Sequence, residues 1–257
     1  MRVWLAYWKK EWMELVRNGK LLILLLISGL FGLMNPALAK LTPWLMETMA
    51  ESLQDTGLLV TGVTVDVMTS WTQFYKNMPM ALIVVVLMLS GIFIQEYQKG
   101  TLILVLTKGL SRQKVYTVKT AVLLLMWFAC FWLSFFITWI YNDIYWDNKT
   151  ASHVVLAAAL FCLFGVWVIL FVVFFSVVFS EVSGILAGTG IVVVISYVLG
   201  IFPRLKNYVP TKLLSSQELL THAAIPEDFG GAVVVTVLMM AAAGTAGMFL
   251  FARKSIK

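Results

Sequence analysis

The sequence predicts an all-α polytopic membrane protein with six transmembrane helices and both termini on the cytoplasmic side. Three observations lead there. Of 257 residues, 61% are hydrophobic and only 12% are charged, against roughly a quarter charged in soluble domains. Six apolar runs fall at 21–39, 79–94, 121–141, 154–179, 185–202 and 231–251, each about long enough to cross a hydrocarbon layer of ~30 Å. Charge alternates between the intervening segments. Thirteen of the 19 Lys and Arg lie in 1–20, 95–119, the turn 180–184 and the tail 252–257, whereas nine of the 13 acidic residues lie in the other intervals. Lys and Arg are retained on the cytoplasmic side, which fixes the predicted orientation.

Residues 1–20 contain no short apolar core followed by a small-residue cleavage site. The first span is therefore expected to act as its own insertion signal. Trp4, Trp8, Trp12 and Leu15 recur at helical spacing, with Lys9, Lys10, Glu14 and Arg17 elsewhere on the wheel. This pattern predicts an amphipathic helix lying in the bilayer interface, its indoles at headgroup level and its lysines toward anionic lipid.

The first span, 21–39, leads into a polar interval, 40–77, that carries Pro43 and the acidic residues Glu47, Glu51, Asp55 and Asp66. It is long enough for two short helices on the outer face, split around Thr56 and Gly57. The second span, 79–94, has a short apolar core that extends back toward Trp71. Interval 95–119 then leaves the bilayer at Glu96, steps through Gly100 and Thr101, and runs apolar from Leu102 to Leu106. It turns at Lys108-Gly109-Leu110 and re-enters after Ser111 and Arg112. Thr101 and Ser111 stand where helix caps are expected. Lys99, Lys108, Arg112, Lys114 and Lys119 hold the interval on the cytoplasmic side.

A short outer loop, 142–152, joins the third and fourth spans, and a very tight inner turn, 180–184, joins the fourth and fifth. Glu181 in that turn reads either as a contact point or as a solvated charge. The outer interval 203–230 contains Pro203 and Pro210, and Leu213 to His222 is a candidate short helix. A surface loop and a re-entrant segment are both consistent with it. Gly184, Gly188 and Gly190, with Gly244 and Gly247, have spacings that let helix backbones approach closely, within one chain or between copies. Cys130 and Cys162 lie inside spans and read as small apolar side chains, with no disulfide or metal implied.

Absences narrow the function. None of the six apolar runs contains Asp, Glu, Lys or Arg, which argues against a proton- or sodium-coupled carrier. No phosphate-cradling G-x-x-x-x-G-K-[ST] is present, since Asn18-Gly19-Lys20-Leu21 lacks both the spacing and the hydroxyl. The chain is not expected to hydrolyse ATP or to be an enzyme. Its histidines, His153 and His222, stand at predicted outer ends within reach of acids (Asp143 or Asp147, Glu218 or Glu227), a pattern common without chemistry. The net charge of +6 sits beside membrane segments and points to lipid, not nucleic acid.

The order Glu96, Gly100-Thr101, an apolar run, Ser111-Arg112 and Lys119 resembles the first cytoplasmic loop of ABC-2-type exporter permeases. The matching stretch is 95–119, and the six-span layout extends the likeness over the chain. One departure is the turn, where the family often has Pro and this chain has Gly109-Leu110; an ordinary basic loop would carry the same charges. The resemblance implies a permease half whose loop 95–119 is a coupling helix docked on a separate cytoplasmic ATPase, which would bind ATP and Mg²⁺; this chain would hold no cofactor. In that reading Glu96 and Arg112 make electrostatic contact at the hinge of the loop that couples to the ATPase, Gly100 supplies a bend, Thr101 starts the coupling helix, and Ser111 and Lys119 complete the motif. Glu181 would be a second contact, and the helix bearing Trp4, Trp8, Trp12 and Arg17 would brace the docking. The resemblance further implies a second copy or close paralogue, with the fifth span near the midline, and short helices in 203–230. Small members resemble bacterial peptide exporters, including that of phenol-soluble modulins. The expected cargo is therefore a hydrophobic or amphipathic peptide crossing a bacterial plasma membrane, with drugs, lipids or polysaccharides as alternatives. A non-transporting membrane sensor or assembly partner and a membrane-embedded enzyme are the readings from other classes.

Overall fold

The computed structural model describes residues 2–53, 66–98, 100, 102, 107 and 109–254. Among these, all regular structure is helical: α1 (Arg2–Arg17), α2 (Lys20–Leu53), α3 (Val67–Leu89), α4 (Ile92–Gln98), α5 (Arg112–Tyr145), α6 (Val154–Val178), α7 (Val182–Gly200) and α8 (Gly230–Arg253), with 3-10 segments at Asn148–Thr150, Pro210–Leu219 and Pro226–Phe229. Six stretches are long and apolar enough to cross a membrane: Lys20–Leu45, Val67–Glu96, Arg112–Tyr145, Val154–Val178, Val182–Gly200 and Pro226–Arg253. They correspond one for one to the six apolar runs.

The core lies where α3, α5 and α6 meet. Trp71, Phe74, Phe131, Phe135 and Phe161 are buried there, with Trp71 and Phe135 rings 5.4 Å apart and Phe131 stacked on Phe161 at 5.9 Å. Gly165 of α6 admits the Trp127 indole; a Cβ at Gly165 would stand 2.2 Å from that ring. The indole N–H donates to the Cys162 carbonyl at 3.0 Å, so this buried donor is satisfied.

Helix α2 passes through two prolines without ending. Pro36 withdraws the N–H that would have bonded the Gly32 carbonyl. Thr138 of α5 donates its hydroxyl to that carbonyl at 2.9 Å, restoring the bond from a neighbouring helix, as apolar surroundings require. Close approach makes this possible, since a Cβ on Gly32 would stand 2.9 Å from Ile137 and the Ser134 carbonyl. The helix continues through Pro43 to Leu53, which corrects the expected pair of short helices in 40–77. Residues 40–53 prolong α2 and residues 67–77 open α3, capped by the Asp66 carboxylate on the Thr69 N–H at 2.9 Å. Good helix formers such as Leu45, Met46, Glu47 and Ala50 carry α2 onward. Polarity in 40–53 marks a change of surroundings, not of secondary structure. Thr56 and Gly57 lie outside the described residues.

The second span breaks at Ser90 and Gly91 before α4 resumes, and α4 carries Glu96. Within the interval 203–230, residues 209–220 are packed into the protein while 203–208 and 221–223 are exposed. Its 3-10 segment packs against α3, α6, α7 and α8, with Leu213, Ser216 and Leu219 fully buried. Gly184 and Gly188 face Phe179 and Phe175, and Gly247 faces Tyr116, so these small residues serve packing within the chain.

Candidate functional site

Helix α1 turns Tyr7, Glu11 and Leu15 into the protein. These recur at i, i+4 and i+8, one stripe of a helix. Trp4 and Trp12 are largely exposed, and Trp8, Lys9 and Trp12 border a shallow cleft beside Leu125. The tryptophan stripe is thus the outward face and Arg17 is exposed. Leu15, expected among the tryptophans, belongs to the buried stripe.

Under α1 the sequence-distant charges meet. Glu11 is 2% exposed, Glu96 3% and Lys119 1%. Lys119 Nζ lies 3.0 Å from Glu11 Oε2 and 3.1 Å from Glu96 Oε2. Lys10 Nζ takes the other oxygens, Glu11 Oε1 at 2.9 Å and Glu96 Oε1. The result is a closed ring of alternating charge, with two carboxylates, two ammonium groups and a net charge of zero. Tyr7 donates its hydroxyl to Glu96 at 3.2 Å. Lys119 also donates to the Ile92 carbonyl at 3.4 Å and lies over the Phe93 ring. Burying an isolated ion costs several kcal/mol even after relaxation, and here every carboxylate oxygen of Glu11 and Glu96 faces an ammonium.

Titration reflects this enclosure. Burial pushes the Glu11 carboxyl up, but Lys119 and Lys10 beside it more than offset that and hold it below the usual carboxylate range. Burial pulls Lys10 down, yet hydrogen bonds to Glu96 and Glu11 bring it above the ordinary lysine value. The Tyr7 phenol is raised, first by burial and then by the two carboxylates. One oxygen each of Glu11, Glu14 and Glu96 lie within 4.8 Å of one another, a spacing a cation could use. Lys10 already contacts all three, at 3.1 Å from Glu14, and its ammonium stands where such a cation would sit.

The Glu96 carboxylate, at the start of loop 95–119, is engaged inside the chain by Lys10, Lys119 and Tyr7. Arg112 likewise turns inward, its guanidinium donating to the carbonyls of Ala252 (3.3 Å) and Lys254 at the end of α8. Lys254 in turn donates to the Val177 carbonyl at the end of α6, 2.7 Å away. Ser111 occupies the N-cap position of α5 but its hydroxyl makes no capping bond. Gly100 has φ +63°, the left-handed bend that glycine favours. Thr101 lies outside the described residues, as does most of the apolar run after it. Glu181 is exposed at the N-cap of α7 and accepts from Ser183.

Glu11 and Tyr7 were not singled out from the sequence, and Lys10, expected to face lipid, is turned onto Glu11 and Glu96. A signal existed. Lys119 lies seven residues inside α5 and must have a buried partner, and α1 carries the Tyr7/Glu11/Leu15 stripe.

No family model matches the chain, and no solved structure matches it. It is similar to "Uncharacterized transmembrane protein YxlG" of Bacillus subtilis (strain 168), at 20% identity over 243 residues covering 93% of each chain. Six apolar helices and a relative described as transmembrane agree. The chain is a multi-pass membrane protein.

A second feature is an apolar cavity of about 400 Å³ between α3, α6 and α7, lined by Pro79, Leu82, Val86, Phe164, Val193 and Leu214 among others. Thr189 on its wall is buried, and its hydroxyl has no hydrogen-bond partner among the described residues.

Proposed function

We propose that this chain is the permease subunit of an ATP-driven exporter in a bacterial plasma membrane, with both termini cytoplasmic, moving a hydrophobic or amphipathic peptide with a separate ATPase. The observation that carries the reading is the ion quartet at the root of loop 95–119. Glu96 stands at the start of the loop and Lys119 at its end, and both are clamped to α1 through Glu11 and Lys10. Arg112 ties the loop's exit to α8, and Lys254 ties α8 to α6. A push on the loop is therefore delivered to α1 and to four spans at once, as a coupling element requires. Glu96 and Arg112 transmit within the permease, and exposed groups such as Gln113, Lys114 and Glu181 meet the ATPase. A second copy of the chain completes the transporter. The cavity between α3, α6 and α7 suits an apolar cargo side chain.

The test is co-expression with the ATPase encoded beside the gene, purification through a tag on this chain, and ATP hydrolysis in lipid with and without amphipathic peptides. A stable complex whose hydrolysis rises with peptide is expected. Turnover that ignores every cargo offered would move the chain to a non-transporting membrane partner, and absence of any complex would overturn the proposal.

A further inference from the structure

The protein has two histidines in 257 residues, 69 positions apart, and the fold brings them together. The rings of His153 and His222 lie 6.5 Å apart, centroid to centroid, nearly perpendicular at 79°. Both are exposed, at the end of the bundle opposite α1. They are also the two residues other than glycine with positive φ among the described residues, at 49° and 56°.

Neither histidine serves its local backbone. His153 is the N-cap of α6, a position that favours Ser, Thr, Asn or Asp, yet its ring makes no capping bond. His222 follows the 3-10 segment in a turn where the Ala223 and Ala224 N–H groups close on the Glu218 carbonyl at 3.0 and 3.3 Å, a place glycine usually takes. A left-handed non-glycine residue is uncommon, although histidine is among the side chains that tolerate it, and it persists where surroundings impose it. The surroundings do so here. Ser152 donates its hydroxyl to the Leu219 carbonyl at 2.6 Å and its N–H to Leu220 at 3.4 Å, locking the two histidine-bearing turns side by side.

We propose that His153 and His222 form a two-imidazole site for a divalent transition ion such as Zn²⁺, which joins the α5–α6 connection to segment 203–230. Metal–nitrogen bonds of about 2.0–2.1 Å place two imidazoles sharing one tetrahedral ion roughly 5 Å apart between centroids. The observed 6.5 Å is wider than that, and binding requires the two exposed rings to turn toward each other. Among the described residues no Cys, Asp or Glu joins the pair to make a three-ligand cluster. Water completes the coordination, and a nitrogen-only set selects Zn²⁺, Cu²⁺ or Ni²⁺ over Ca²⁺ and Mg²⁺.

The experiment is calorimetric titration of Zn²⁺ alone into the full chain in lipid nanodiscs, with every affinity tag removed. One ion per chain is expected. His153→Asn and His222→Asn keep a residue that tolerates left-handed backbone and remove the ligand, and each should weaken binding by about tenfold or more, because losing either imidazole loses the chelate. The double variant should bind at least as weakly as the weaker single one, and by less than the sum of the two single losses, since either single change already removes the chelate. His222→Phe, which keeps a ring against His153, should fail like His222→Asn. No binding by the parent, single variants within about twofold of it, or unchanged binding in the double variant would each overturn the site. Amide exchange of the parent gives an independent reading. Zn²⁺ must slow exchange at residues 152–157 and 219–224, and unchanged exchange there also overturns it.

Discussion

At the α1 end of the bundle, Lys10, Glu11, Glu96 and Lys119 close a ring of full charges. The opposite end is joined by neutral groups: Ser70 donates to Asn142 at 2.6 Å, Asn77 to Asn35 at 2.9 Å, and the Trp71 indole to Asn148 at 3.3 Å. Both networks are buried and both cross between helices far apart in sequence. Their energetics differ. A neutral hydrogen bond contributes about 0.5–1.5 kcal/mol net, and losing it costs little more than leaving its partner unsatisfied. An ion ring is close to neutral as a whole but severe to unbalance. The α1 end is thus built to move as one piece or not at all, whereas the far end tolerates local change.

The largest way to break that contrast is Lys119→Met. It leaves Glu11 and Glu96 buried against each other with Lys10 alone between them, and a loss of about 3–5 kcal/mol is expected. Denaturant unfolding in detergent micelles measures it. Adding Glu96→Gln removes one charge of the other sign and should restore at least half of the loss. If the double variant were less stable than Lys119→Met, the ring would not be acting as a balanced unit.

A smaller effect comes from pH. The Glu11 carboxyl is held below its unfolded value, so its contribution is fully present above pH ~4.3 and disappears as pH falls through the lowered folded value. Lys10 is raised, so its contribution is complete below pH ~10.4 and fades as pH rises through the higher folded value. Docking of α1 should therefore be constant between those limits and loosen on either side, while the Ser70–Asn142 and Asn77–Asn35 bonds, which contain no titrating group, stay unchanged in acid. Amide protection at residues 7–15, compared with 134–142, reads this out. Acid-induced loosening of both regions together would count against the assignment.

Much of the bundle was legible because ~20-residue apolar runs leave few alternatives. All six apolar runs reappear as candidate spans, and α6 (Val154–Val178) nearly coincides with its predicted 154–179. What escaped was set by partners. Glu11 looks like Glu14 on a helical wheel, and only the arrival of Lys119 and Glu96 from other helices makes one buried and the other half-exposed. Pro43 reads as a helix end, but α2 runs on through it to Leu53. His153 and His222 each lie near acids in sequence, whereas the structure pairs them with each other, through a turn that Ser152 anchors.

The smallest expected effect tests whether burial, rather than charge itself, separates the two ends. An ion pair exists on the far side as well, open to water on its acidic side: Lys212 Nζ lies 3.4 Å from Glu218 Oε2, with the lysine side chain 9% and the glutamate 43% exposed. Water and salt screen such a pair, and exposed pairs typically contribute under about 1 kcal/mol. Glu218→Gln should shift stability by no more than that, and the shift should shrink when ionic strength rises from about 0.05 to 0.5 M, since screening acts over a Debye length of ~10 Å at 0.1 M. The backbone turn at His222 depends on the Glu218 carbonyl and is untouched by this change. Were Glu218→Gln to cost as much as Lys119→Met, or to keep its full effect at high salt, the distinction between a buried ring and an exposed pair would fail.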